Sequence, residues 1–324
     1  MNAPLPVAVD AMGGDRAPAD VVAGARRAAE EGLRVVLVGP PEQIGDTAGI
    51  ELVACREVIG MGEDPAGAVR RKKDSSLVRA AELVRDHKAA AMVSAGNTGA
   101  TMAAALLRMG RLRGAIRPCI AIPLPRRGAE PAVLVDAGAN AECTPQMLVQ
   151  FAQMGAAYAI ERYRIANPTV ALLSIGEEAS KGTTLVKETS ELLRAGVPGV
   201  RFVGNVEGRD LLGCPADVVV TDGFTGNVAL KTAEGTLRYA GRLLAEVFDH
   251  DEQTKAAAAV LAPHLTPVLA RLDPENTGGA MLLGVRGICV ISHGSSSSVA
   301  IANAIRVAHD LAARGLVDRL GAAL

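Results

Sequence analysis

Five short stretches of this 324-residue chain combine glycine with small polar side chains. They are Asp10-Ala11-Met12-Gly13-Gly14-Asp15, Ser94-Ala95-Gly96-Asn97-Thr98-Gly99, Asp136-Ala137-Gly138-Ala139-Asn140, Thr221-Asp222-Gly223-Phe224-Thr225-Gly226-Asn227 and Ser292-His293-Gly294-Ser295-Ser296-Ser297-Ser298. Each follows a short apolar run. Glycine permits tight turns and lets a ligand approach the backbone. A helix that starts next offers unpaired N–H groups and the positive end of its dipole. Ser, Thr and Asn add neutral hydrogen bonds. The chemistry this suits is the holding of an oxyanion such as phosphate. One such turn means little, because Ser, Thr and Asn are ordinary helix caps and Gly an ordinary turn residue. Several at one end of one sheet, which the pattern predicts, mean more. Lys181, in a turn with Ser174, Gly176, Glu177 and Glu178, is either a charge that neutralises phosphate or a loop lysine paired with Glu177 or Glu178. His293 is the only one of the five histidines at a predicted strand end.

Familiar nucleotide and hydrolase signatures are missing. Gly176 to Thr183 contains Lys and Gly in the wrong order for G-x-x-x-x-G-K-[ST], and Gly60-Met61-Gly62 lacks the third glycine of a dinucleotide fingerprint. No H-E-x-x-H or G-x-S-x-G occurs. The five cysteines (55, 119, 143, 214 and 289) are odd in number and form no CxxC, so they read as free thiols in a reducing compartment.

The elements that must position these turns alternate. Strands are predicted at Leu5–Ala11, Arg34–Gly39, Ala89–Ser94, Cys119–Leu124, Ala132–Asp136, Thr169–Leu173, Val200–Val203, Asp217–Thr221 and Ile288–Ser292. Most are apolar on both faces, as in a covered parallel sheet. Helical patterns lie between them; Met147, Phe151, Met154 and Tyr158 form a core-facing stripe in 144–162. The alternation predicts an α/β layered fold with a mainly parallel sheet, read as one domain over 1–324 without a linker or repeat. The 19 uncharged residues Ala89–Leu107 are long enough for a membrane span, but their polar centre fits strand, turn and helix better. No signal peptide is expected at the N-terminus. With 49% hydrophobic residues the chain is not disordered, and 2% aromatics disfavours base stacking. A net charge of -1 gives no global attraction to nucleic acid.

Residues 225–271 depart from the alternation. They read as a helical hairpin with stripes Tyr239, Leu243, Val247, Phe248 and Leu261, Leu265, Val268, Leu269 around a polar turn, Asp249–Glu252. A packing or dimerisation arm and a surface that meets a membrane or partner both fit this pattern.

Taken together, these turns resemble the bacterial PlsX-type phosphate acyltransferases. The resemblance runs in order from Val7–Asp15 through Ser94–Gly99, Asp136–Asn140, Ile175-Gly176-Glu177-Glu178 with Lys181-Gly182, Gly204–Gly208, Asp222–Asn227 and Gly278-Gly279-Ala280 to His293–Ser298. Ala137 is a small departure that removes no polar residue. The resemblance implies a three-layer α/β/α fold related to phosphotransacetylases and isocitrate-dehydrogenase-like enzymes, without NAD or another cofactor. It implies acyl transfer from acyl-acyl carrier protein to inorganic phosphate, at the start of phospholipid synthesis. It further implies a cytoplasmic homodimer with peripheral membrane contact, whose product goes to a membrane glycerol-3-phosphate acyltransferase.

On that basis Asn97, Thr98, His293, Ser295 and Ser296 are expected to hold phosphate and Lys181 to neutralise its charge. Asp222, Asn227 and Lys231 are expected to orient groups nearby, with Lys181, Asn227 and His293 the catalytic candidates. Asp10, Gly13, Gly14, Asp136 and Asn140 complete the expected binding set. Acyl carrier protein is acidic, so Arg70-Arg71-Lys72-Lys73, continuing to Arg79 and Arg85, is the expected docking patch, with Arg108, Arg111, Arg113 and Arg117 a second candidate. Rival readings are a phosphotransacetylase acting on coenzyme A, a non-catalytic phosphometabolite-binding protein and a dehydrogenase.

Overall fold

β-Branched and aliphatic runs become eleven strands in the computed structural model, which describes residues 4–324 except 48, 127 and 214. In chain order these are β1 (Val7–Asp10), β2 (Val35–Gly39), β3 (Glu51–Ala54), β4 (Ala91–Ser94), β5 (Cys119–Leu124), β6 (Ala132–Val135), β7 (Thr169–Ser174), β8 (Arg201–Glu207), β9 (Val218–Val220), β10 (Ala280–Leu283) and β11 (Ile288–Ile291). All join one sheet, in the order β3-β2-β1-β4-β11-β10-β5-β6-β9-β7-β8. The helices are α1 (Ala19–Glu30), α2 (Pro41–Ile44), α3 (Pro65–Arg71), α4 (Ser76–Arg85), α5 (Thr98–Ala104), α6 (Pro145–Tyr163), α7 (Thr184–Arg194), α8 (Gly223–Phe248), α9 (Glu252–Leu272), α10 (Ser298–Ala313) and α11 (Leu316–Ala323).

Strand residues alternate between two apolar layers. Val7, Val9, Leu37, Val93 and Val135 pack with α1, α6, α10 and α11. Ala8, Val36, Val38, Met92 and Leu134 pack on the opposite face with α3, α4 and α5. The three-layer α/β/α architecture follows from that alternation. Thr144 caps α6 by accepting from Met147 N–H, and Met147, Phe151, Met154 and Tyr158 are all buried, as their spacing predicts.

Two strands escape a sequence reading. β3 is a sheet-edge strand with exposed ends, only four residues long and headed by Glu51. β10, Ala-Met-Leu-Leu, has helix-forming composition, but it is confined between Gly278-Gly279 and Gly284, all at positive φ. β10 matters most, because it runs antiparallel to both β11 and β5, and β5 runs antiparallel to β6. The other seven pairings are parallel. The parallel set β3-β2-β1-β4-β11 therefore points opposite to the parallel set β6-β9-β7-β8.

The expectation that the glycine-rich turns gather at one end of one sheet is therefore corrected. Those after β1, β4 and β11 open on one edge. Those after β6, β7 and β9 open on the opposite edge. Strands of four to six residues separate the edges by roughly 13–20 Å along the strand direction.

The hairpin is present as α8 and α9, with the 225–271 estimate close to its bounds. Asp251 caps α9 through a capping box with Thr254. Tyr239, Leu243, Val247, Leu261, Val268 and Leu269 are exposed, and α9 buries none of its residues within the chain. Ala89–Leu107 is β4, a polar turn and α5, and no helix among the described residues is long and apolar enough to cross a membrane.

Candidate active site

At the first edge, three turns lock together. A Cβ on Gly13 would lie 2.7 Å from Gly96 N and 2.8 Å from Asp10 Oδ2, so only glycine lets the turns after β1 and β4 touch. Asp15 N–H donates to Gly294 O at 2.7 Å, which ties the first turn to the one after β11. Gly14, at φ +111°, lies against the same carbonyl. Asp10, Gly13, Gly14, Asn97, Thr98, His293, Ser295 and Ser296 thus belong to one group.

Asp10 is buried beneath it. Ser94 Oγ donates to its Oδ2 at 2.7 Å and Met12 N–H to its Oδ1 at 3.3 Å. Burial pushes the carboxyl up from 3.8, against the pull of these donors and Ser76. A carboxyl raised by folding contributes stability fully below its unfolded value and loses it as pH rises through the folded one. The stability advantage of the unaltered chain over Asp10→Asn should accordingly shrink from pH 4 upwards, as read from denaturant midpoints. A difference that stays constant with pH would refute this.

Asn97 caps α5 through Oδ1, accepting from Ala100 N–H at 3.0 Å, while Nδ2 donates to Met61 O at 2.7 Å. Thr98 is exposed in the first turn. His293 is exposed, with Nδ1 2.9 Å from Ser295 Oγ and accepting from Ser295 N–H at 3.4 Å. Acceptance at Nδ1 corresponds to the neutral tautomer that carries its proton on Nε2. Ser296 N–H donates to His293 O at 2.9 Å, closing the turn.

Glu275 is a residue the spacing did not reveal. Ser297 Oγ donates to its Oε2 at 2.6 Å, and Ser297 N–H to its Oε1 at 3.3 Å. A carboxylate from the chain that returns from the hairpin thus sits at the N-terminus of α10. Asp222 does the same at α8, accepting from Thr225 N–H at 2.8 Å and Thr225 Oγ1 at 2.7 Å. Of the helices that follow these turns, α5, α6 and α7 have neutral capping side chains, Asn97, Thr144 and Thr183. The positive ends of these three face no capping carboxylate, unlike those of α8 and α10.

At the second edge, Asp136 is fully buried and accepts five hydrogen bonds. Ile120, Gly138 and Ala139 N–H reach Oδ1 at 2.9, 3.2 and 3.0 Å; Asn140 N–H and Nδ2 reach Oδ2 at 2.8 and 2.9 Å. Burial pushes this carboxyl up and the donors oppose it. Both oxygens are thus taken up in holding the turn. Asn140 also donates to Pro118 O at 2.8 Å, so its amide faces inward. Asn227 is exposed and lies against Gly138, with no hydrogen bond to its amide among the described residues. Lys231 is held by Glu234 at 2.9 Å. Lys181 is exposed and, among the described residues, makes no ion pair, so the pairing with Glu177 or Glu178 does not form. Lys181, Asn227 and Lys231 are therefore not gathered with His293 within one chain.

Other sequence expectations change similarly. Lys72 of the basic run donates to Val58 O at 2.7 Å and Glu63 Oε1 at 2.6 Å, and the pair holds the Glu63 carboxyl below its usual range. Arg70, Arg71 and Lys73 remain exposed. Arg79 and Arg85 pair with neighbouring acids, and Arg108 lies near Glu82. Cys55, Cys119, Cys143 and Cys289 are free; burial pushes Cys55 and Cys143 to about 11 and Cys289 to about 12, so these thiols are protonated near neutrality. Cys214 lies outside the described residues.

The sequence profile of the fatty acid synthesis protein family matches residues 5–319. The chain belongs to that family. A phosphate acyltransferase from Leptospira biflexa is 46% identical over 97% of this chain and 95% of its own length. Another from Heliobacterium modesticaldum is 47% identical, covering 93% and 92%. These relatives bear out the resemblance read from the turns, and the chain is an acyltransferase enzyme. Among solved structures, a phosphotransacetylase from Streptococcus pyogenes matches 96% of this chain and 94% of its own with TM-score 0.63 at 18% identity. EutD phosphotransacetylase from Staphylococcus aureus matches 95% and 94% with TM-score 0.62 at 16% identity. At such identities the likeness establishes the shared α/β fold.

Proposed function

We infer that this acyltransferase moves a fatty acyl group reversibly from acyl-acyl carrier protein to inorganic phosphate, giving acyl phosphate for phospholipid synthesis. Supporting the acceptor is the name phosphate acyltransferase borne by relatives that match nearly end to end. The observation that carries the placement of phosphate is the first-edge group. There the turn before α5 and the turn that carries His293 and Ser295 both touch the Asp10–Asp15 turn.

The reaction needs little more than positioning. A phosphate oxygen attacks the thioester carbonyl, the C–O bond forms, the C–S bond breaks, and the proton of hydrogen phosphate ends on the departing thiol. Phosphate is already anionic near neutral pH and a thiol leaves readily, its ordinary pKa being about 8.5. Thr98, Ser295 and His293 Nε2 supply neutral donors for phosphate and for charge that develops on the carbonyl oxygen. Asp10, Gly13 and Gly14 hold the turns in contact.

The carrier protein docks on Arg70, Arg71 and Lys73, whose helix α3 lies beside the Glu63 segment that Asn97 grips. Charge reversal at Arg71 and Lys73 together is expected to raise KM for the carrier protein by about ten-fold at low salt, with the effect fading as salt rises. Reversal at Lys72 would also break its bond to Glu63 and is the wrong probe. An unchanged KM at every salt concentration would move the docking surface elsewhere. The apolar face of the hairpin supports a homodimer, in the cytoplasm and in peripheral contact with the membrane where a glycerol-3-phosphate acyltransferase takes the product.

The deciding experiment traps acyl phosphate as hydroxamate, with acyl-acyl carrier protein and acyl-coenzyme A as alternative donors. Product from the carrier protein supports the reading. Product from coenzyme A alone makes the chain phosphotransacetylase-like, and no product from either leaves a phosphometabolite-binding protein.

A further inference from the structure

Carboxylates around the first-edge group are engaged by the chain itself. Asp10 is held by Ser94, Glu63 by Lys72 and by Gly60 N–H at 2.7 Å, Asp64 by Gly67 N–H at 2.7 Å, and Glu275 by Ser297. Asp15 is the exception. Its side chain is exposed and, among the described residues, takes no hydrogen bond and forms no ion pair. Neighbouring Arg16 reaches Asp20 instead, at 3.5 Å. Yet Asp15 is fixed in place, because its N–H is tied to Gly294 O at 2.7 Å. That bond brings the carboxylate to the turn between His293 and Ser295. A Cβ on Gly294 would stand 3.2 Å from Asp15 Oδ2 and 2.8 Å from Met61 Cε. With glycine at 294, no side chain fills the space beside the carboxylate.

A bare carboxylate is out of place beside a site for an anion. It offers only lone pairs, so it repels an oxyanion that also offers only lone pairs. It attracts one that carries a proton on oxygen. Hydrogen phosphate has such a proton, and sulfate has none near neutral pH.

We propose that Asp15 is a specificity residue that reads the proton of hydrogen phosphate. Its carboxylate accepts the P–OH hydrogen, while Thr98, Ser295 and His293 donate to the bare oxygens. The proposal rests on the placement of phosphate at the first edge under the acyl-transfer reading, and adds to it a rule of selection. The acceptor site takes hydrogen phosphate or hydrogen arsenate and turns sulfate away. Selection comes from a repulsive element, since the three ions are alike in shape.

The test titrates phosphate, arsenate and sulfate separately into the full chain by calorimetry, with no acyl donor present. It is run at about pH 8.5, where phosphate has lost its second proton and equals sulfate in charge. The unaltered chain is expected to bind phosphate and arsenate at least about ten-fold more tightly than sulfate, the worth of one hydrogen bond to a charged group. Asp15→Asn, whose amide donates as well as accepts, is expected to bring the three anions within about three-fold of one another, with sulfate bound more tightly than by the unaltered chain. A merely structural role would weaken all three together and leave their ratio alone. That outcome overturns the proposal, as does equal binding of phosphate and sulfate by the unaltered chain. Thermal unfolding checks each variant, and Asp15→Asn keeps the backbone bond to Gly294. Ser295→Ala separates the role of Asp15 from the placement of phosphate. If Ser295→Ala weakens phosphate while Asp15→Asn leaves the ratio unchanged, phosphate stays at the first edge and only the role of Asp15 is overturned. If both variants bind phosphate as the unaltered chain does, or the unaltered chain binds no anion at tens of millimolar, the first-edge placement is overturned and the proposal with it. Because no acyl donor is used, a failed acyl phosphate assay leaves this result intact.

Discussion

Gly226→Ala should unfold the second edge and abolish activity, although it adds a single methyl group. The new Cβ would lie 1.9 Å from Asp136 O and 3.0 Å from Asp136 C. These are backbone atoms, so no side-chain rotation relieves the overlap. Overpacking of this kind costs about 3 kcal/mol or more. Relief by backbone movement would pull the Asp136–Asn140 turn from the start of α8, since Gly223 N–H donates to Asn140 O at 2.7 Å across the same contact. Gly235→Ala is the control. It lies on the same helix with nothing within 4 Å of a new Cβ, and should be neutral or gain up to about 1 kcal/mol from helix propensity. Denaturant midpoints and acyl phosphate formation measured on both variants decide the matter. A Gly226→Ala protein as stable as the control would show that the contact yields without cost.

Asp136→Ala is expected to lower stability by about 3 kcal/mol, because it strands the buried Ile120 N–H and frees the part-buried donors that fix the turn. Five hydrogen bonds converge on the carboxylate, four from backbone N–H groups that cannot turn elsewhere. Asp136→Asn is expected to recover only part of this. Its one oxygen can serve one side of the turn, while its NH2 faces the remaining donors. The order unaltered, Asn, Ala in unfolding midpoint checks the reasoning. Equal midpoints for Asn and unaltered protein would mean that shape, rather than charge, holds the turn.

Much of this fold can be read from residue patterns, and the reasons are physical. Most of the nine strands that announce themselves do so because covered strands are apolar on both faces, whereas β8 lies largely exposed at the sheet edge. The stripe of α6 is visible because Met147, Phe151, Met154 and Tyr158 repeat at the helical period. β10 is hidden because Ala, Met and Leu favour helix, and tertiary context overrides that preference. Strand direction leaves no local trace, so the division of the turns between two edges could not be foreseen. Glu275 is equally silent, as it meets Ser297 only after the hairpin returns. Lys72 shows the converse limit: a basic run reads as surface, yet one of its members is engaged with Glu63. The individual residues at the turns were legible as polar punctuation; which of them face one another was not.

The reversal of direction at β10 also governs how substitutions combine. The edges lie further apart than the Debye length of about 10 Å at ordinary ionic strength, and no described hydrogen bond joins Asp10 to Asp136. Stability changes at Gly13 and Gly226 should add, because neither alters the other's neighbours. Changes at Gly13 and Ser94 share atoms and should not. A set of double mutants would therefore sort this apparently continuous sheet into two energetic territories, with the boundary at a strand of four residues.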